Sequence, residues 1–254
     1  MFSAEILRAD PSAVLLFSGG ITRPIHPFQS EAQSYLALAF ETNLVPLHLQ
    51  SRAFTEDYAL DSFQNLLFSI MRYHELALAA LAATATAADG ATAADAAAGT
   101  EHEAKTSSSW PEKITVIGFE MKRKRFVELH RTALRWPEAR FEYIGVDLAD
   151  SEKSQRAAQG EVSSRSKKPI TPTPLSISYS TPQMLHGYQP YTRDLYGCTG
   201  ELALKRISRN PFAKFHPYYT TNPELAPLID WCPAEGSSAG SVEAQIYTGP
   251  LPWD

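Results

Sequence analysis

Val14-Leu15-Leu16-Phe17-Ser18-Gly19-Gly20 is a run of apolar residues closed by a glycine pair. Four large apolar side chains in succession leave no solvent face, the pattern of a strand covered on both sides in a parallel sheet. Glycines at its end allow a tight turn and a close approach of backbone to a neighbour or a ligand. This stretch is expected to be a buried parallel strand whose turn floors the ligand crevice of an α/β protein.

Working outward, Phe2, Ile6 and Leu7 have helical spacing, and Asp10-Pro11-Ser12 ends that helix ahead of the strand. A parallel sheet is built from complete βαβ units, so a sequence opening on the crossover helix is expected to lack its first strand. Downstream, Ser30-Glu31-Ala32-Gln33 has the S-x-x-Q form of a capping box, and the helix it opens runs to Asn43. Residues 45–49 are expected to form a second short strand, and a third helix to start near Asp57. Residues 114–118 and 141–147 read as further strands, joined by a helix over residues 121–135.

Residues 79–109 have no large apolar side chain after Leu81 to offset the entropy of ordering, and residues 150–174 are rich in Ser, Lys and Pro, so these are expected to be a low-complexity insert and a disordered polar loop. The expected architecture is a Rossmann-like three-layer sandwich with a mainly parallel sheet over residues 1–149. A helical and irregular C-terminal extension over 175–232 and a tail over 233–254 complete it.

A chain of 254 residues, 44% hydrophobic, can bury one good core. Its formal charge of −5 argues against a general nucleic-acid binder, which needs a basic face. Cys198 and Cys232 are too few for a disulfide framework and too far apart for a local zinc pair, so both are expected to be unpaired in a reducing, cytoplasmic setting. No apolar run of the length of a membrane span is read, and the first residues lack a signal-peptide layout.

Three neighbourhoods reach the carboxyl ends of the strands. The first is Ser18-Gly19-Gly20 with Arg23, Ser30 and Glu31, where glycine amides and a guanidinium suit an oxyanion, although a plain structural turn reads equally well. The second is Glu56, Asp61, Ser62 and Asn65 around a helix start, where carboxylates also serve as ordinary caps. The third is Lys122 and Arg125 just after residues 114–118. Cations there oppose the helix dipole, which an anionic ligand would explain, although a solvated basic face reads equally well.

Together these segments resemble the family of bacterial envelope proteins YdcF, SanA and ElyC, a domain of unknown function, and its fungal branch in particular. The resemblance rests on S-G-G followed by S-E-A, and on E-x-x-S-x-N-T-x-E-N, which here runs from Glu56 to Asn65 with Ala59, Asp61, Ser62 and Gln64 at altered positions. Gln64 removes an acid. Arg125 matches the arginine of an H-x-x-R motif whose histidine is Lys122 here. The stretch 194–212 resembles the fungal branch. The resemblance also implies a strand and a glycine loop ahead of the first helix.

Two functions follow. One is an enzyme or enzyme-like protein that takes a small anionic ligand, phosphate-bearing or nucleotide-type, on Gly19, Gly20, Arg23 and Arg125, with Glu31 and Glu56 as candidate catalytic groups. The other is a non-catalytic binding or scaffold protein, or an inactive truncated form. No cofactor is indicated. Glu31, Glu56 and Asp61 could hold Mg²⁺ or Mn²⁺, but carboxylates at this spacing more often cap helices, so no metal is assigned.

Overall fold

Helix α1 (Phe2–Ala9) precedes strand β1 (Leu15–Ser18), as the apolar spacing requires. The structure, a computed structural model, describes residues 2–89, 108–146, 187–233 and 241–254. The polar loop expected over 150–174, and the part of the earlier insert from 90 to 107, lie outside the described residues.

Strand β1 pairs in parallel with β2 (Ala53–Glu56), Leu15 opposite Ala53 and Ser18 opposite Glu56. The helix between them, α2 (Glu31–Glu41), begins at the expected capping box: Gln33 N–H donates to Ser30 Oγ, and the Gln33 side chain accepts from the Ser30 N–H. Residues 45–49 are not a strand. Leu47–Arg52 is a 3₁₀ helix, and the strand lies beyond it. Alternation would have placed Val45, Leu47 and Leu49 on one face, but only Val45 and Leu49 are buried while Leu47 is 82% exposed. Arg52 then ties this unit together, donating to the carbonyls of Leu7, Asp10, Pro11 and Ala13.

The second parallel pair is β3 (Ile114–Phe119) with β4 (Phe141–Val146), in register from Ile114–Phe141 to Phe119–Val146. Among the described residues the strands form two separate two-stranded sheets. Among the described residues each strand therefore has one edge without a ladder partner, and β1, expected to be buried, is half-buried along its whole length. The chain is thus a general α/β protein of helices and short parallel strands.

Helix α3 (Ser62–Asp89) starts five residues later than expected from Asp57 and runs through the first part of the expected insert. It is the spine of the main core: Phe63, Leu66, Leu67, Phe68, Ile70 and Met71 are all buried against Leu129, Leu134, Trp136 and Tyr143. By length and composition its segment Ser62–Ala85 could cross a membrane. Its apolar first turns are spent on this core instead.

Between β3 and β4 the expected helix is present as uninterrupted helical backbone from 120 to 133, but its winding is mixed: a 3₁₀ turn (Glu120–Lys122), a π-helical turn (Arg125–His130) and the short helix α4 (Arg131–Ala133). The C-terminal part adds α5 (Gln189–Arg193) and α6 (Gly200–Ser208). The last residues are more than a tail. Tyr247, Leu251 and Trp253 belong to the main core, and Trp253 Nε1 donates to the Leu134 carbonyl at 2.7 Å.

Cys198 and Cys232, expected to be unpaired thiols, form a disulfide across 34 residues with Cα atoms 5.8 Å apart. Their spacing could not reveal this, because the pairing depends on how the chain returns past α6. A disulfide suits an oxidising compartment, so the reducing, cytoplasmic setting inferred from the cysteine count loses its basis. Closing a loop of this length stabilises by about 4 kcal/mol in the chain-entropy account. Guanidinium titration of the Cys198→Ser/Cys232→Ser chain should show a loss approaching that size; an unchanged midpoint would mean that the bridge does not constrain the unfolded chain.

Candidate anion-binding site

The glycine pair after β1 is built to bring two loops together. Gly19 N–H donates to the Glu56 carbonyl at 3.0 Å and Gly20 N–H to the Ala59 carbonyl at 2.8 Å. Their own carbonyls accept from Ala32 and Glu31 at the start of α2. A Cβ on Gly20 would lie 2.9 Å from the Ala59 oxygen, and Gly19 has φ +154°, so both positions require glycine. The expectation that these amides hold a ligand is therefore corrected: both are spent on the loop before α3.

Glu56, at the end of β2, is 1% exposed. Its Oε2 accepts from Ser18 Oγ at 2.7 Å, its Oε1 from Tyr58 N–H at 2.8 Å and from the Tyr218 hydroxyl at 3.2 Å. Burial pushes its carboxyl up to about 7, against the pull of those donors. Ser30 is also sealed, capping α2 and donating from Oγ to Asp57. Ser18, Gly20, Ser30 and Glu56 thus form the scaffold behind the site and do not line it.

A cavity of about 580 Å³ opens in front of this scaffold. Eight of the twelve residues singled out from the sequence line it: Gly19, Arg23, Glu31, Asp61, Ser62, Asn65, Lys122 and Arg125. The C-terminal part closes the other side with Tyr191 from α5, Leu202 and Lys205 from α6, and Arg209 just beyond. That wall was missed. The signal available was Lys205 and Arg209, four apart and so on one helical face.

The electrostatics are one-sided. Arg23, Lys122, Arg125, Lys205 and Arg209 face two carboxylates, Glu31 and Asp61. Asp61 is spent: its Oδ2 accepts from Arg206 Nε at 2.6 Å, and its Oδ1 caps Gln64 N–H at 2.8 Å. Lys205 pairs with Glu201 at 2.7 Å. Burial, with Arg125 nearby, holds the Lys122 ammonium below its ordinary value, and burial does the same to Arg125. Arg125 donates to the Gly187 carbonyl at 3.1 Å and lies over the Tyr191 ring, and its buried Nε has no hydrogen-bond partner among the described residues. Partly buried cations without carboxylate partners are costly and are expected where an anion binds.

Glu31 Oε1 accepts from Thr22 Oγ1 at 2.7 Å. Glu31, Glu56 and Asp61 are held by separate partners, and among the described residues no group of three or more His, Cys, Asp or Glu side chains is placed to hold a metal ion. Gln64, where the resembled pattern has an acid, accepts from Leu60 N–H at 2.9 Å and so serves as a cap.

No family model and no solved structure matches the chain. It is similar to the uncharacterized protein YOR238W of Saccharomyces cerevisiae, at 27% identity over 167 residues, 65% of this chain. The chain spans about 40% of the length of that relative.

The raised Glu56 value has a thermodynamic consequence. The folded chain keeps the proton that the unfolded chain releases near 4.5, so this stabilisation is full below about pH 4.5 and is lost as pH rises through about 7. Its size is on the order of 3 kcal/mol. Denaturation of the Glu56→Gln chain should therefore show a flatter stability profile between pH 4.5 and 7.5 than the wild type. Parallel profiles would show that Glu56 is not the group responsible.

Proposed function

We propose that this protein binds a phosphate-bearing, hydroxylated small molecule of nucleotide type in the cavity between the β1 turn, the start of α3, the 3₁₀ turn after β3, and α6. The observation that carries the reading is the convergence of Lys122, Arg125 and Arg209 on a cavity whose Asp61 is already paired with Arg206. Arg125, whose Nε has no hydrogen-bond partner among the described residues, can meet a phosphoryl oxygen with the part of its guanidinium that lines the cavity. Glu31, with one oxygen held by Thr22, offers the other to a ligand hydroxyl.

The site lies at the carboxyl ends of β1 and β3, where open parallel sheets take their ligands. The two parallel pairs are consistent with halves of a Rossmann-like sheet, and the resemblance to the YdcF, SanA and ElyC family supports that architecture. Binding is favoured over acid/base catalysis because Glu56 is sealed from the cavity and Gln64 cannot carry a proton. Turnover, on the second reading, would fall to Glu31 as base, the remaining candidate catalytic carboxylate that lines the cavity.

Isothermal titration should show adenosine monophosphate binding, with adenosine binding at least tenfold more weakly. Arg125→Ala and Lys122→Ala should each weaken the nucleotide about tenfold or more, the loss of a hydrogen bond to a charged group, with little change in melting temperature. Equal affinity for nucleotide and nucleoside, or for wild type and both variants, would overturn the assignment.

A further inference from the structure

Behind the cavity wall, His130 is fully buried at the end of the π-helical turn, with 0% of its surface exposed. Its Nε2 lies 2.9 Å from Ser62 Oγ, and Ser62 lines the cavity as the first residue of α3. The imidazole is caged edge-on by Phe63, Phe126 and Tyr191, with ring centroids 5.9, 5.1 and 4.6 Å away. Arg125 and Arg206 are the charged groups that face it, and burial together with these cations pushes its pKa well down, so the ring is neutral.

A neutral imidazole carries one proton, and the surroundings choose where. Nδ1 is buried without a hydrogen-bond partner among the described residues. A proton there would be a buried, unsatisfied N–H donor, which native structures avoid more strictly than an unused acceptor. The proton therefore sits on Nε2 and is donated to Ser62 Oγ. Having accepted that bond, the Ser62 hydroxyl must aim its own proton elsewhere, either at Tyr191, which also lines the cavity beside Ser62, or at a ligand.

We propose that His130 is a positioning residue that fixes Ser62 as a hydrogen-bond donor to an oxyanion oxygen of the bound ligand, in line with the cations of Lys122 and Arg125. The arrangement differs from a serine nucleophile with a histidine base in the direction of the bond. A base would need Nε2 unprotonated and a carboxylate on Nδ1 to support the imidazolium, and among the described residues no such partner stands there. Ser62 is thus set for recognition, with a neutral donor added to a cationic site. Such chains of donors strengthen one another where water is excluded.

The proposal rests on the anion-site reading, and two measurements on the full chain separate their failures. Long-range ¹H–¹⁵N correlation of the His130 ring should show a proton on Nε2 and a bare Nδ1, without protonation between pH 5 and 8; a proton on Nδ1, or a titrating imidazolium, overturns the positioning role. Inorganic phosphate is then titrated calorimetrically. Ser62→Ala and His130→Leu should each weaken it about tenfold, the double variant no further than either, and His130→Gln, which keeps a donor near the Nε2 position, should bind within about threefold of wild type.

Wild-type affinity in a folded His130→Leu chain, or additive losses in the double variant, overturns the proposal. If His130→Leu does not fold, the comparison of Ser62→Ala with His130→Gln and the tautomer decide instead: undiminished binding by Ser62→Ala contradicts it. Absence of phosphate binding by the wild type overturns the anion site and the ligand assigned to Ser62, while the tautomer remains readable independently of it.

Discussion

The Glu56 carboxyl is the point at which the separate parts of this chain are joined. It is buried at the end of β2, and three regions supply its hydrogen bonds: Ser18 at the end of β1, the Tyr58 and Ala59 amides ahead of α3, and Tyr218 from the C-terminal part. Isolating a carboxyl from water is expensive, and these donors are what make it tolerable. The glycine pair depends on the same joint, since Gly19 bonds the Glu56 carbonyl itself. With the loop before α3 fixed in this way, Asp61, Ser62 and Asn65 are carried to the cavity on the first turn of a helix anchored in the core.

The second constraint is charge. Asp61 could have neutralised the cavity but is turned to Arg206, a residue 145 positions away on α6. This pair closes the C-terminal part over the site, and among the described residues neither Lys122 nor Arg125 forms a salt bridge with a carboxylate. The π-helical turn serves both ends of that arrangement, with Arg125 at its start facing the cavity and His130 at its end behind Ser62. Irregular winding of this kind costs hydrogen-bond quality and is found mostly where a site needs it.

Local chemistry was readable from the sequence, and long-range closure was not. The capping box at Ser30 and Gln33 and the strand before the glycine pair follow from patterns within a few residues of each other. The glycine amides were misassigned because a turn that takes a ligand and a turn that takes another loop use the same residues; only the Ala59 and Glu56 carbonyls tell them apart. The strand over 45–49 failed for a related reason, since Val45 and Leu49 fit either period. The disulfide, the Asp61–Arg206 pair and the Ser62–His130 contact join positions 34, 145 and 68 residues apart, and no local pattern encodes them.

The claim that this cavity takes an oxyanion is tested most directly by diffraction from crystals soaked in tungstate, whose tetrahedral oxyanion mimics phosphate and scatters anomalously. The account places an anomalous peak within hydrogen-bond reach of Arg125 and Ser62 Oγ, displaced by excess phosphate. A peak only at surface lysines, or none in the cavity at concentrations that saturate other sites, would contradict it.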